Sequence, residues 1–397
     1  MTTVPHEFNG EKLTEARELN ERTMVSLAEE AGLSRQMLSA YESGRLVPRP
    51  DNLYRLALIL GVKESYFMTP SSIKSNPTYF RSFAALTKRA RESAVRRLDI
   101  FQSLAHSVCE TGIVIEPDIP DYNLGDSPEQ YTEKQIEKYA DDLRRDWRLT
   151  SGPISSMSGL LEIHGILIAC SMFGDRNLDA FSEWGQDGRP YIYLCMDKHS
   201  AARAAFTYAH ELGHLLLHRQ VPKKKFESRL YHKLYEHQAD IFAGAFLLPA
   251  QSFAAELPKF SLDYFLSIKP RWRVSVAAMI KRCAQLGWIT ESEEKNLWIN
   301  YSRRGWRNHE PYDEDSAALR VDEPKLLSEA IAVLNEEGIL TTESLREDLK
   351  VPADRLAKMF NLDILRSPNA PPLRSDDPFQ RSLPANVILS NSTRTGT

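Results

Sequence analysis

Apolar residues recur at helical spacing through the first part of the chain, broken by glycines and prolines. From residue 1 to about 68 this pattern predicts short helices packed as a small all-α domain. A stretch rich in Ser and Pro, 69–77, predicts a solvated connection. A long helix with many basic residues is expected over 79–109, so we assign 69–128 as a linker and basic helix.

The pattern changes in the middle of the chain. Residues 129–310 are mainly helical in period but contain two short apolar runs typical of strands, 166–172 and 191–196. This combination predicts an α+β domain. Residues 316–364 read as a small helical C-terminal domain, and the Pro- and Ser-rich segment 365–397 predicts a disordered tail. The fold class expected is therefore multidomain.

Composition agrees with a globular chain of several domains. The 397 residues are enough for two to four domains at roughly 100 to 200 residues each. Apolar residues make up 42% and the net charge is −4, which argues against a disordered chain. No apolar run approaches the ~18 residues of a membrane span, and the first residues lack a secretory signal. We expect a cytoplasmic protein with no membrane partner and with buried, unpaired cysteines.

The segment 23–45 has the layout of a helix-turn-helix. Small Ala28 allows two helices to approach closely, Gly32 permits the turn between them, and the Ser34 hydroxyl can cap the second helix. The outward side of the second helix then carries the candidate DNA contacts: Ser34, Arg35, Gln36, Ser39, Arg45 and Arg49. This arrangement predicts a reader of double-stranded DNA.

The charge of this domain limits how it binds DNA. Residues 1–68 hold 8 basic and 10 acidic side chains, so attraction has to come from a local patch. Between Arg35 and Arg49 there are three arginines and one acid. Such a small footprint suits a homodimer on an operator, or help from the basic helix. The alternative is a helical adaptor that has lost DNA binding.

The sequence FTYAHELGHLLLH carries the candidate catalytic chemistry. His210 and His214 are four apart, so on a helix both imidazoles project from one face and can chelate one Zn²⁺. Glu211 lies beside them as a candidate general base. His218 continues the spacing, but it is roughly 12 Å along the helix from His210 and cannot share the same ion. We therefore interpret His218 as structural.

A third ligand is expected from the segment YEHQADIFAGAFLLP. Glu236 and Asp240 are four apart on an otherwise apolar helix, where unpaired charge is costly. We assign Glu236 as the third metal ligand and Asp240 as an acceptor for the outer N–H of a ligand histidine. His232 and His237 are rival ligands. The alternative is that the two carboxylates pair with nearby Lys or Arg.

These motifs resemble the ImmA/IrrE family of metallo-endopeptidases over residues 79–310. The resemblance rests on YFRS, on HELGHLLLH, on the Glu-x-x-Ala-Asp-x-Phe-Ala block that starts at Glu236, and on WRVSVAAMIKR. The first ~60 residues resemble the XRE-type, lambda-repressor-like helix-turn-helix family. The ImmA/IrrE resemblance implies a gluzincin-like site in a bacterial or phage-borne protein that cleaves a helix-turn-helix repressor.

The expected function is a DNA-binding transcriptional regulator with a metal-dependent endopeptidase that acts on a partner repressor or on itself. Zn²⁺ is the expected ion, with Mn²⁺ or Fe²⁺ possible from the same ligand types. Candidate oxyanion donors are Tyr231, Tyr235, His232 and His199. The alternative is a non-catalytic transcription factor whose protease-like domain senses a metal, a peptide or a small molecule. The region after 316 is expected to serve dimerisation or substrate docking.

Overall fold

The structure is a computed structural model. It describes residues 7–70, 87–114, 116–171, 179–196, 200–222, 225, 229–313 and 319–365. The YFRS motif, His199 and nearly all of the predicted tail lie outside the described residues. Within the described ranges the chain forms sixteen α-helices and a three-stranded sheet. The predicted fold class is confirmed, and no described helix is long and apolar enough to cross a membrane.

The first part of the chain is helical. Its helices are α1 (Gly10–Leu19), α2 (Met24–Glu30), α3 (Arg35–Glu42) and α4 (Pro50–Leu60). Thr23 and Ser26 form a capping box at the start of α2, and the Ser34 hydroxyl accepts from the Met37 N–H at 3.1 Å. Gly32, with φ 65°, makes the turn between these helices. The local chemistry of the helix-turn-helix prediction is therefore present.

Helix α5 (Lys88–Cys109) starts at a Thr87 cap and is 22 residues long. The sequence placed it in a linker, but the structure packs its apolar face in one hydrophobic cluster with the first helices, the sheet and the C-terminal helices. On its other side Arg96 binds Glu18 of α1 at 2.8 Å. This helix is the central element that joins the parts of the chain.

The middle of the chain supplies eight helices and the sheet. The helices are α6 (Glu133–Asp146), α7 (Met157–Ile163), α8 (Ala201–Leu217), α9 (Arg229–Leu247), α10 (Ala250–Ala255), α11 (Leu262–Trp272), α12 (Val276–Gln285) and α13 (Glu291–Arg303). The strands are β1 (Leu167–Ser171), β2 (Ala180–Trp184) and β3 (Pro190–Cys195). Their order is β1-β3-β2, with β1 parallel and β2 antiparallel to β3.

Two of the strands, β1 and β3, match the predicted runs to within one residue at each end, whereas β2 was not predicted. Its five residues include Ser182 and Glu183, which are both buried. Ser182 binds Glu211 and Glu183 binds Gln102 of α5. These two polar residues are buried because other segments supply their hydrogen-bond partners. They interrupt the apolar run that marks the other two strands.

The C-terminal region forms α14 (Leu326–Glu336), α15 (Thr342–Leu349) and α16 (Ala353–Phe360). The Arg355 guanidinium donates to the Gly61 carbonyl and to the Asn20 amide oxygen, each at 3.1 Å. At the other side, the Tyr193 hydroxyl of β3 donates to the Met359 carbonyl. These helices thus contact both the first helices and the sheet.

The segment before α14 is attached to α7 by two carboxylates. Asp322 accepts from the Ser156 hydroxyl at 2.8 Å and from the Ser158 N–H at 2.7 Å. Glu162 accepts from the N–H groups of Lys325 and Leu326 at the start of α14. Glu162 therefore caps a helix that belongs to another part of the chain.

Glu162→Gln is expected to make folding stability less dependent on pH. Burial raises the pKa of Glu162 to about 7, although its backbone hydrogen bonds act in the opposite direction. In the unfolded chain Glu162 has its ordinary pKa of 4.5, so it loses its proton at lower pH than in the folded protein. As pH rises from 4.5 to above 7, the free energy of unfolding of the wild type therefore falls. The stability difference between wild type and variant should change by up to roughly 3 kcal/mol between pH 4.5 and pH 8.

Chemical denaturation of both proteins across this pH range measures the effect. Glu336→Gln, which changes an exposed carboxylate at the end of α14, is the control and should follow wild type. Parallel stability curves for wild type and Glu162→Gln would show that Glu162 does not titrate in this window.

Candidate metal centre

Helix α8 provides three of the candidate site residues. Its N-terminal half is rich in alanine, and Ser200 caps its start by accepting from the Arg203 N–H. Nearly the whole helix is buried, including His210, Glu211 and His214. Polar side chains in such surroundings need polar partners or an ion.

A close contact between α8 and α9 brings the fourth residue to this group. A Cβ at Gly213 would lie 3.0 Å from the Phe242 ring and 3.3 Å from the Ala239 Cα. Glycine at this position therefore lets the two helices approach closely. As a result, Glu236 on α9 lies beside the two histidines of α8.

His210, His214 and Glu236 have ligand atoms that all lie within 4.8 Å of one another. The Nε2 atoms of the two histidines are 3.1 Å apart, and each is 3.5 Å from a carboxylate oxygen of Glu236. In a tetrahedral zinc site, bonds of ~2.0–2.1 Å place neighbouring ligand atoms about 3.3 Å apart. The three residues therefore fit one face of such a site and leave the fourth position open.

The charge on Glu236 suits this geometry. Burial disfavours its ionised form, but the neighbouring His210 and His214 hold the pKa of Glu236 below its ordinary value. An ionised carboxylate beside two imidazoles is a ligand set typical of catalytic zinc.

Asp240 and the rival histidines occupy different surroundings. Asp240 Oδ1 lies 2.9 Å from His210 Nδ1, on the side of the ring away from Glu236. His232 Nδ1 is 4.0 Å from Glu236, outside the three-residue group. His237 is exposed and lies 3.1 Å from Glu133. The structure thus brings together the residues assigned as ligands, leaves His232 at the edge of the group and places His237 on the surface beside Glu133.

Glu211 is held beside the group by a strand that the sequence did not reveal. Its Oε2 accepts from the Ser182 hydroxyl of β2 at 2.6 Å. Burial raises the pKa of Glu211, while His214, His210 and the Ser182 hydrogen bond act against the shift. Its Oε1 is buried and has no hydrogen-bond partner among the described residues. This carboxyl can accept and release a proton.

His218 lies one turn beyond His214, and its ring faces that residue. The Nδ1 atoms of the two rings are 2.9 Å apart, and His218 Nε2 is 3.0 Å from Gln238 Oε1. Burial lowers the pKa of His218 well below its ordinary value, which keeps the ring neutral. Gln238, like Ser182, was missed because its partners are distant in sequence.

The candidate oxyanion donors are only partly placed. Tyr231 and Tyr235 stack with ring centroids 6.0 Å apart, and the Tyr235 ring lies 5.0 Å from that of His218. His199 lies outside the described residues. No one of these candidates is distinguished by its contacts among the described residues.

Two clefts lie along α8, and both are lined by Phe206 and Lys281. One, of about 240 Å³, is bordered by Asp240. The other, of about 530 Å³, contains Arg203 and Thr207. Since these two positions continue the helical stripe of His210 and His214, the larger cleft extends along the same face.

The candidate DNA contacts lie on the surface around α3. Leu38 and Tyr41 point into the core, whereas Arg35 and Gln36 are exposed and Ser39 is half-buried. Ser34 is also exposed and its hydroxyl is engaged as the cap of α3. The other two candidates are exposed after α3: Arg45 and Arg49.

Comparison with protein families gave two matches in the order expected from the sequence. Residues 13–67 match the model described as helix-turn-helix, and residues 161–284 match the model described as an IrrE N-terminal-like domain. The second match contains the three-residue group, Glu211 and Asp240. Comparison with curated proteins gave no match.

Proposed function

This chain carries a helix-turn-helix domain followed by an IrrE N-terminal-like domain, and from that premise we propose that it is a DNA-binding regulator with metallo-endopeptidase activity. The substrate would be a partner helix-turn-helix repressor or the chain itself. The observation that carries the proposal is the spacing of His210, His214 and Glu236, with buried Glu211 beside them.

The residues divide the chemistry between them. His210 and His214 would hold a divalent ion through Nε2, and Glu236 through its carboxylate, most simply Zn²⁺ with Mn²⁺ or Fe²⁺ as alternatives. When bound, the ion supplies Lewis acidity for a peptide carbonyl and an attacking water. Asp240 fixes the orientation of the His210 ring.

Glu211 would carry the proton. Its Oε2 is occupied by the Ser182 hydroxyl, so Oε1 is the atom available to take a proton from the attacking water. The same carboxyl would then deliver the proton to the leaving amine nitrogen. Burial raises the pKa of Glu211, which favours the first of these transfers, the uptake of the proton.

The function is tested by incubating metal-loaded protein with a proteome-derived peptide library and with a purified helix-turn-helix repressor. New N-termini are identified by mass spectrometry, with and without a chelator, and the intact mass of the chain itself reports self-cleavage. Chelator-sensitive new termini support the proposal. Their absence with every divalent ion would contradict it.

A second candidate function is a sensor that binds a metal without cleaving peptides. The observation that favours it is the hydrophobic cluster that contains residues of the first helices and of the sheet over α8. Through this cluster, ion binding could alter operator affinity. Chelation that changes operator affinity, with no peptide bond cut, would support this function.

Glu236→Ala is expected to weaken Zn²⁺ binding by roughly 100- to 1000-fold. Four-ligand zinc sites are worth about 10–16 kcal/mol, so one ligand contributes on the order of 3 kcal/mol. Elemental analysis and chelator competition measure the change. The control is His237→Ala, which changes an exposed neighbour of Glu236 and should bind Zn²⁺ with wild-type affinity. Wild-type Zn²⁺ affinity in Glu236→Ala would rule out Glu236 as a ligand.

Combined replacement of Arg35 and Gln36 by Ala is expected to weaken binding to a selected operator by roughly 30- to 10⁴-fold, because two base contacts together are worth ~2–6 kcal/mol. Each base contact is worth ~1–3 kcal/mol, whereas binding to random DNA should change less. Arg303→Ala, which removes a cation from α13, is the control. Equal loss on operator and random DNA would indicate that Arg35 and Gln36 do not read bases.

A further inference from the structure

His214, His218 and Gln238 form a continuous chain of buried side chains that ends on the backbone. The links are His214 Nδ1 to His218 Nδ1 at 2.9 Å and His218 Nε2 to Gln238 Oε1 at 3.0 Å. The Gln238 side-chain N–H then donates to the Pro128 carbonyl at 2.7 Å. All three side chains are almost completely inaccessible to solvent.

Each link of this chain has one possible polarity. A carbonyl can only accept, so Pro128 fixes the amide of Gln238 with its nitrogen toward the backbone and its oxygen toward His218. Since that oxygen accepts, His218 carries its proton on Nε2. The neutral ring then presents an unprotonated Nδ1 to His214.

The same orientation prepares His214 for an ion. Its Nδ1 faces an acceptor and therefore bears the ring proton, which leaves Nε2 unprotonated on the side of Glu236. In His210 the acceptor is the Asp240 carboxylate, which faces Nδ1, so this ring also carries its proton on Nδ1 and leaves Nε2 unprotonated. The two ligand histidines are thus oriented by different acceptors, one charged and one neutral.

We propose that His218 is a positioning residue for His214, and that Gln238, anchored on Pro128, fixes the tautomer of His218. This assignment rests on the metal centre of the proposed function and does not depend on peptide cleavage. His218 itself is not a ligand, because its nearer nitrogen is turned to Nδ1 of His214 and not to the ligand group.

The first test reads the tautomers directly. In full-length Zn²⁺-loaded protein labelled with ¹⁵N-histidine, two-bond ¹⁵N–¹H spectra distinguish protons on Nδ1 and Nε2. We expect His218 as the Nε2–H tautomer and His214 as the Nδ1–H tautomer. His218 protonated on Nδ1 would overturn the proposal.

The second test measures Zn²⁺ affinity by chelator competition and the visible spectrum of the Co²⁺ form. His218→Phe retains a ring but removes the acceptor, and it should weaken Zn²⁺ binding by about 10- to 100-fold. His218→Asn returns an oxygen near the position of Nδ1 and should recover most of the affinity and the Co²⁺ spectrum. His237→Phe, exposed on the same helix as Gln238, should remain wild type.

The outcomes separate the role of His218 from packing and from the proposed function. A folded His218→Phe variant that binds Zn²⁺ within twofold of wild type overturns the proposal, as does an Asn variant no better than Phe. If His218→Phe does not fold, Gln238→Leu tests the same chain, and unchanged affinity there overturns it. Wild-type protein that binds Zn²⁺ but cuts no peptide would contradict the peptidase and not this assignment.

Discussion

Glu211→Gln is expected to lower the rate of peptide-bond cleavage by roughly 10²- to 10⁴-fold while the metal content stays at the wild-type level. Glutamine has nearly the same shape and can still accept from the Ser182 hydroxyl, so the surroundings of α8 should be preserved. It cannot take a proton from water. Single-turnover cleavage and elemental analysis on the same preparation measure the two quantities.

The control for Glu211→Gln is a second buried carboxylate changed in the same way. Glu162→Gln lies on α7, caps α14 and is outside the three-residue ligand group. It should cleave at the wild-type rate at a pH where both proteins are folded. Cleavage by metal-loaded Glu211→Gln at the wild-type rate would exclude Glu211 as the general base.

Local spacing explains why much of the candidate site could be predicted. Residues four apart share one face of a helix, so the pairing of His210 with His214, and of Glu236 with Asp240, follows from helical geometry alone. That the two pairs meet is a long-range relation. It was inferred from the cost of burying two carboxylates without partners on an apolar helix.

Residues whose partners lie far away in sequence could not be predicted. Ser182 lies in a strand that its polar residues make hard to predict. Its hydrogen bond to Glu211 joins residues that are 29 positions apart in the sequence. His218 appeared structural because it is too far along α8 to share an ion with His210. Its contact with His214 is local, but its polarity depends on Gln238 and Pro128.

The arrangement of helices around α5 also could not be predicted from the sequence. Periodicity shows that a helix has an apolar face but not which elements cover it. A basic face on α5 suggested a solvated surface or contact with DNA, yet Arg96 binds Glu18 of α1 and Asp99 of its own helix. The helix assigned to a linker therefore lies between the helix-turn-helix region and the sheet.

Phe101→Ala is expected to destabilise the protein by about 3–5 kcal/mol, because it removes a fully buried ring at the centre of this arrangement. The Phe101 ring of α5 contacts Tyr191 and Tyr193 of β3 at centroid distances of 5.9 and 6.5 Å, and Phe360 of α16 at 5.5 Å. The loss should therefore reach elements from several parts of the chain at once.

Two probes measure whether the loss of stability in Phe101→Ala affects the middle of the chain and the helix-turn-helix alike. All six tryptophans lie between residues 147 and 306, so their fluorescence reports the middle of the chain, while operator binding reports the helix-turn-helix. In Phe101→Ala both denaturation midpoints should fall together, and Val333→Ala, at an exposed position of α14, should leave both within about 0.5 kcal/mol of wild type. If only the fluorescence midpoint moves, the two regions fold independently, and the cluster around α5 cannot transmit ion binding to the operator surface.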